Sequence, residues 1–124
     1  SQVFGGTLPY MSPEHLQAFD PLDPGAQKPV TEQSDIYSLG VVLFELLTGR
    51  MPFPSHNNEP MISQRVSLMI ADRRQPEMIW KNFPAAEPAV RSVLARALEP
   101  DPARRWTTAD EFSQALSDVL DLRS

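Results

Sequence analysis

The pattern of apolar and polar positions predicts a chain of helices joined by loops. The densest apolar run predicts a helix over 35–48, with Ser34 as its N-cap, Asp35 in its first turn and Gly49 just beyond its end. Its apolar residues cover every face rather than one stripe, which is typical of a helix surrounded by protein. We therefore expect this helix to be the centre around which the rest of the chain packs.

Amphipathic patterns predict three more helices after the central one. We expect them at about 59–72, 87–98 and 107–122, and the last opens with Thr107 and Asp110 spaced as a capping box. No convincing strand alternation accompanies these patterns. The prediction is a mainly α chain with long loops.

Glycine and proline interrupt the N-terminal part of the chain. The segment 1–14 contains two adjacent glycines and two prolines, so we expect a loop there. The segment 15–34 holds three more prolines and is expected to be an irregular linker, apart from one helical turn at about 14–19. We expect the whole chain, 1–124, to be part of one domain.

Composition excludes several classes of protein. The chain has 11 Lys and Arg against 16 Asp and Glu, and the net charge of −5 argues against a nucleic-acid partner. There is no cysteine, and His15 and His56 lie far apart, so neither a disulfide framework nor a thiolate or histidine metal site is expected. No apolar run approaches the roughly 20 residues of a membrane span, and no signal peptide is visible. A soluble protein of a reducing compartment is expected.

Three short motifs carry more specific information. Residues 6–14 read G-T-L-P-Y-M-S-P-E, which resembles the end of a protein-kinase activation segment with Ser12 in place of the usual alanine. Residues 35–40 read D-I-Y-S-L-G and look like the start of the central F helix of kinases. Residues 98–105 read L-E-P-D-P-A-R-R and are similar to the late D-P-x-x-R element of kinases. Together, in this order, they resemble serine/threonine protein kinases of the bacterial eukaryotic-like type over almost the whole chain.

The resemblance implies a protein kinase-like fold, of which this chain is the C-terminal lobe from the activation segment onward. The Gly-rich loop, the V-A-I-K lysine, H-R-D-x-x-x-x-N and D-F-G all precede Gly6 in the family and are missing here. We therefore expect the N-terminal lobe to be absent. ATP and Mg would bind only to the intact kinase, and this chain alone should hold no cofactor or metal, contain no catalytic residue and catalyse nothing.

The first motif implies a substrate-positioning role for Gly6, Thr7, Leu8 and Tyr10. The Thr7 hydroxyl would help to shape the pocket for the acceptor hydroxyl, because it can donate and accept hydrogen bonds at once. Leu8 and Tyr10 would line the pocket for the residue that follows the phosphoacceptor. The alternative for Thr7 is a loop threonine that bonds its own backbone.

The other two motifs imply structural roles. Glu14 and Arg105 would form a buried ion pair that anchors the substrate-binding loop, with Arg104 as the competing partner. Trp106 stands where the family usually has a proline after the arginine, so the choice between Arg104 and Arg105 stays open. Asp35 would support the catalytic loop by accepting backbone N–H bonds. Without the motifs, these residues would be interpreted as surface charges and as a helix-dipole aspartate.

The function implied is transfer of the γ-phosphoryl group of ATP to a serine or threonine hydroxyl by the intact, cytoplasmic kinase domain. This chain would contribute substrate positioning and scaffold, and its partners would be the protein substrate and the missing remainder of the domain. The alternative is a pseudokinase-like helical module that binds proteins and transfers nothing. A third is an unrelated helical bundle. The aspartates of H-R-D and D-F-G, which lie upstream in the family, would distinguish an active kinase from a pseudokinase-like module.

Overall fold

The computed structural model describes residues 8–20, 31–84 and 87–121. These residues form five α-helices: α1 (Pro13–Ala18), α2 (Glu32–Thr48), α3 (Ile62–Arg73), α4 (Pro88–Ala97) and α5 (Ala109–Asp121). Three short 3-10 helices cover Leu8–Tyr10, Pro76–Asn82 and Pro102–Arg104. No strand occurs within the described ranges, which confirms the mainly α prediction, and no helix there is long and apolar enough to cross a membrane.

The helical turn predicted at about 14–19 is confirmed: it is helix α1, which begins one residue earlier, at Pro13. The predicted loop 1–14 therefore ends two residues early, at Ser12. The Ser12 hydroxyl accepts the backbone N–H of His15 over 3.2 Å, and Pro13 occupies the first helical position. Proline is favoured at that position, because its fixed φ suits a helix and its missing N–H would be unpaired there. Pro13 therefore starts a helix rather than preventing one.

The central helix α2 also starts earlier than predicted. It begins at Glu32 rather than Asp35, and its N-cap is Thr31, not Ser34. Ser34 instead occupies the third helical position, where its hydroxyl accepts the Thr31 backbone N–H over 3.4 Å in a capping box. At the other end Gly49 adopts the left-handed conformation with φ of 77°, which ends the helix where predicted.

The later helices lie close to the predicted ranges, with shorter ends. Helix α3 starts three residues after the predicted position, and α4 and α5 both lie inside theirs. The predicted cap of α5 is wrong by one residue. The Thr108 hydroxyl accepts the Glu111 N–H over 3.1 Å, while the Glu111 carboxylate accepts the Thr107 N–H over 3.0 Å. The Glu111 carboxylate thus reaches back four residues to the Thr107 N–H, and a glutamate side chain is longer than that of Asp110.

Two apolar clusters hold these helices together. The larger cluster joins α2 to α4 and α5, and includes the mutually packed rings of Phe44, Trp80 and Phe83. Gly40 allows α2 and α4 to approach closely, since a Cβ there would lie 3.1 Å from the Ala97 Cβ. The smaller cluster lies between α1, α3 and the 3-10 helix that precedes α1: Leu8, Met11, Leu16, Val66 and Met69.

One side of α2 faces away from both clusters. Leu39, Val42 and Leu46 follow Asp35 at helical spacing, and all four residues are exposed, with 75% of Leu46 accessible. We call these four residues the α2 stripe. Among the described residues, α2 is therefore covered on only part of its surface, because α4 and α5 pack on its other faces.

Candidate functional site

Arg105 is the centre of a hydrogen-bonded group that ties α1 to the loop before α5. Its Nη1 and Nη2 donate to the two carboxylate oxygens of Glu14 over 2.6 and 2.8 Å. The guanidinium is fully buried, whereas 17% of the Glu14 side chain is accessible. Two parallel bonds between a planar guanidinium and a carboxylate are the strongest form of an ion pair in proteins. The pair joins positions that are 91 residues apart in the chain.

The remaining donors of Arg105 bind backbone carbonyls. Nε donates to the Glu99 carbonyl over 2.7 Å, and Nη1 also donates to the Gln33 carbonyl over 3.0 Å. The hydroxyl of Ser34 donates to the Glu14 carboxylate over 2.7 Å, so Ser34 belongs to this group. Sequence reasoning treated Ser34 only as a helix cap and missed that contact. The group thus joins α1, the start of α2 and the segment between α4 and α5.

The environment of Glu14 favours its charged form. Burial of the carboxyl raises its pKa, but hydrogen bonds from Arg105 and Ser34, with the positive charge of Arg105, outweigh burial and lower the pKa from 4.5 to about 2. Arg104, the competing partner, is exposed. The structure therefore pairs Glu14 with Arg105.

The segment before α1 places its two described site residues differently. Leu8 is buried in the smaller apolar cluster, where it packs against α1 and α3 rather than lining an open surface. The Tyr10 hydroxyl donates to the Glu45 carboxylate of α2 over 2.8 Å. That hydrogen bond, with burial and the negative charge of Glu45, raises the pKa of Tyr10. Glu45 is a contact that the sequence motifs did not reveal.

The remaining sequence-predicted residues are Gly6, Thr7 and Asp35. Gly6 and Thr7 lie outside the described residues. Asp35 is exposed and is the first member of the α2 stripe. Its predicted role in supporting a catalytic loop therefore stays a prediction.

A second buried arginine, Arg73, was not predicted. It lies in the last turn of α3, is fully buried, and donates hydrogen bonds to the carbonyls of Pro9 and Met11. A signal was present in the sequence, because Arg73 follows Val66 and Met69 at the spacing of the apolar face of α3. An arginine on such a face requires partners for its donors, and the segment before α1 supplies them.

The described residues offer no ligand cluster for Mg. Within 8–20, 31–84 and 87–121, no group of three or more histidine, aspartate or glutamate side chains is placed to hold a metal ion. The sequence also lacks the Gly-rich loop that covers the phosphates in kinases. The binding of ATP and Mg by the intact kinase stays a prediction for this chain.

The helical fold and the Glu14–Arg105 ion pair agree with the kinase resemblance of the three sequence motifs. The family described as "Protein kinase domain" matches residues 1–118, and the chain belongs to this family. Its resemblance to serine/threonine kinases is confirmed by relatives of known name. It is 38% identical to the serine/threonine-protein kinase PknA of Corynebacterium glutamicum over 92% of this chain. It is 34% identical to the serine/threonine-protein kinase PrkC of Bacillus subtilis over 94% of this chain.

The relatives are much longer than this chain. The matches cover 20% of the Corynebacterium glutamicum protein and 16% of the Bacillus subtilis protein. A match to the serine/threonine-protein kinase drp72 of Corynebacterium efficiens, at 36% identity, covers 92% of this chain and 18% of that protein. The chain therefore spans about a fifth or less of the length of these curated relatives.

Proposed function

We propose that this chain is the substrate-positioning and scaffold part of the C-terminal lobe of an ATP-dependent serine/threonine protein kinase. The parent kinase would transfer the γ-phosphoryl group of ATP to a serine or threonine hydroxyl of a protein substrate, in the cytoplasm. ATP, Mg and the reacting groups would be held by other parts of the parent. The observation that carries the proposal is the Glu14–Arg105 ion pair, which follows the segment resembling a substrate-binding loop.

The ion pair supports this role through its position. Glu14 lies in the first turn of α1, four residues after Tyr10, and its carboxylate is held from two directions by Arg105 and Ser34. Because the chain is fixed immediately beyond the segment, the residues of the segment have little freedom to move. We propose that Gly6 and Thr7 position the acceptor residue, with the Thr7 hydroxyl shaping the pocket for the acceptor hydroxyl. Leu8 and Tyr10 would shape the pocket for the residue that follows the acceptor.

The α2 stripe supports the proposal that this chain works together with other parts of a kinase domain. Its three apolar residues, Leu39, Val42 and Leu46, are exposed along the central helix and mark a surface that normally has a partner. We propose that the remainder of the kinase domain covers the stripe, and that Asp35 at its N-terminal end binds backbone N–H groups of the catalytic loop.

The test is made on the parent kinase, with Thr7→Ala as the variant. We expect the wild-type parent to phosphorylate casein on serine or threonine, and Thr7→Ala to lower turnover far more than thermal stability. Thr107→Ala is the matched control, because Thr107 is exposed and far from the segment in sequence. Unchanged turnover in Thr7→Ala would remove Thr7 from the site. A parent that binds protein but transfers no phosphate would instead be a pseudokinase-like module.

The chain alone tests the scaffold proposal. With the α2 stripe uncovered, we expect strong binding of an apolar fluorescent dye, a gradual melting transition and no phosphoryl transfer. A sharp two-state melt without dye binding would contradict the proposal that other elements cover α2.

A further inference from the structure

Arg73 is held by backbone oxygen atoms on both sides of Tyr10. Its Nη2 donates to the Pro9 carbonyl over 2.9 Å, and its Nε donates to the Met11 carbonyl over 2.8 Å. These two carbonyls belong to the residues immediately before and after Tyr10. One guanidinium therefore holds the backbone at both flanks of a single residue.

The remaining contacts of Arg73 fix the guanidinium itself. Its Nη1 donates to the Met69 carbonyl one turn earlier in α3, over 3.1 Å. The Phe53 ring lies against the guanidinium, with the Arg73 Cζ 4.8 Å from the ring centroid. All three nitrogen atoms have an acceptor, and one face of the group is covered. The side chain is thus locked in place before any substrate arrives.

Tyr10 is consequently restrained at three points. Arg73 holds its two neighbouring carbonyls, and the Glu45 carboxylate of α2 accepts its hydroxyl over 2.8 Å. The restraints come from α2 and α3, two helices that lie well after Tyr10 in the sequence. Substrate-positioning surfaces work when their geometry is fixed in advance, since ordering them during binding would cost free energy.

The chemistry of this contact requires arginine. The planar guanidinium has five N–H donors in a fixed fork, so it can reach the carbonyls of Pro9, Met11 and Met69 at once. A lysine would keep the charge and most of the stem, but its compact ammonium group cannot span the same acceptors. An apolar side chain of similar length would leave all three carbonyls without this partner.

We propose that Arg73 is a positioning residue for the protein substrate: it holds Leu8–Met11 in the conformation that receives the residue next to the acceptor. This inference rests on the proposed function, because it assigns the segment to substrate binding. It extends that function to α3, which the sequence motifs did not implicate. Arg73 acts through the segment and is not a catalytic residue.

The test compares Arg73→Lys and Arg73→Met with wild type in the parent kinase. With casein as acceptor, we expect both variants to raise the KM for casein by about tenfold or more, as expected for losing hydrogen bonds from a charged donor. The KM for ATP should stay unchanged. Arg74→Met is the matched control, because Arg74 is the exposed residue directly after α3, and it should leave both KM values unchanged.

Hydrogen exchange provides a second measurement that does not need activity. We expect faster backbone exchange over 8–12 in Arg73→Lys, with exchange in α4 and α5 unchanged, and no change in Arg74→Met. A wild-type parent that transfers no phosphate would overturn the proposed function and the substrate role, while faster exchange would still uphold the Arg73 contact. Unchanged exchange and KM in Arg73→Lys, or equal increases in both KM values, would overturn the inference.

Discussion

Arg105 and Arg73 are both fully buried, yet the two arginines have different partners. Arg105 has a carboxylate within hydrogen-bond distance, the side chain of Glu14, and uses its other donors on carbonyls. The donors of Arg73 bind only backbone carbonyls, and an aromatic ring, that of Phe53, covers one face. Both arginines fasten a segment near α1 to elements that come much later in the chain.

Because their partners differ, the two arginines should contribute differently to the free energy of unfolding. A buried charge costs free energy unless it is paired, and the Glu14 carboxylate supplies that pairing for Arg105. Arg73 is balanced by carbonyl dipoles, and burial lowers its pKa. Losing Arg105 would leave the partly buried Glu14 carboxylate without a counter-charge. Losing Arg73 would remove a charge along with its hydrogen bonds and leave no opposite charge unpaired. The free energy of unfolding should therefore fall less than on loss of Arg105, while the backbone on both sides of Tyr10 would lose its restraint.

The largest expected effect follows from Arg105→Met in the parent kinase domain. Removal of one partner of a buried ion pair typically costs about 3–5 kcal/mol of the free energy of unfolding, which urea denaturation measures. Arg104→Met, at the exposed neighbour, should change it by less than about 0.5 kcal/mol. Equal small losses of stability in both variants would show that the Glu14 carboxylate does not need Arg105 as its counter-charge.

Arg73→Met should have a smaller effect on the same measurement. We expect a loss of about 1–3 kcal/mol, because buried carbonyls lose a donor but no opposite charge is left alone. Arg74→Met again serves as the exposed control. A loss as large as that of Arg105→Met would erase the distinction between the two arginines.

A double-mutant cycle sharpens the pairing itself. The coupling between Glu14→Ala and Arg105→Met should exceed about 1 kcal/mol, because the two side chains are in direct contact. The same cycle with Arg104→Met should give a coupling near zero. Additive effects with Arg105 and coupling with Arg104 would contradict the observed pair.

The pH dependence of the free energy of unfolding should depend on Arg105 but not on Arg73. The pKa of Glu14 is about 2 in the folded chain, below its ordinary value of 4.5, so the unfolded state binds the proton first as the pH falls. The stability from this pair is therefore complete above about pH 4.5 and is lost as the pH falls toward 2. Urea denaturation across this range should show a shallower slope in Glu14→Gln and Arg105→Met. Arg73→Met should keep the wild-type slope, because carbonyls do not titrate.

The helices were predictable because their causes are local. Apolar spacing located α2 to α5, and Gly49 marked the end of α2. The errors lay at helix starts, where Thr31 and Thr108 act as caps one to three residues away from the predicted ones. Several residues that can cap stood side by side there, and the choice between them depends on which hydroxyl meets a free N–H.

The site was only partly predictable. The motifs named Glu14, Arg105 and Tyr10, but the contacts that hold them, from Ser34 and Glu45, cross from α2 to segments outside it. No spacing rule within one helix reveals such a partner. Arg73 had a weak signal in its position on an apolar face, but two of its three acceptors, the Met11 and Pro9 carbonyls, lie 62 and 64 residues away.

The sequence by itself determined the helices and, through three ordered motifs, the kinase family. Only the tertiary structure decided which charged side chains are buried. Arg104 and Arg105 are neighbours, as are Arg73 and Arg74, and in each pair one arginine is buried and the other exposed. Neighbouring side chains point in different directions, and burial depends on what distant segments present to each of them. Glu14 faces Arg105, and the carbonyls of Pro9 and Met11 face Arg73, because α1 and the segment before it pack against these elements.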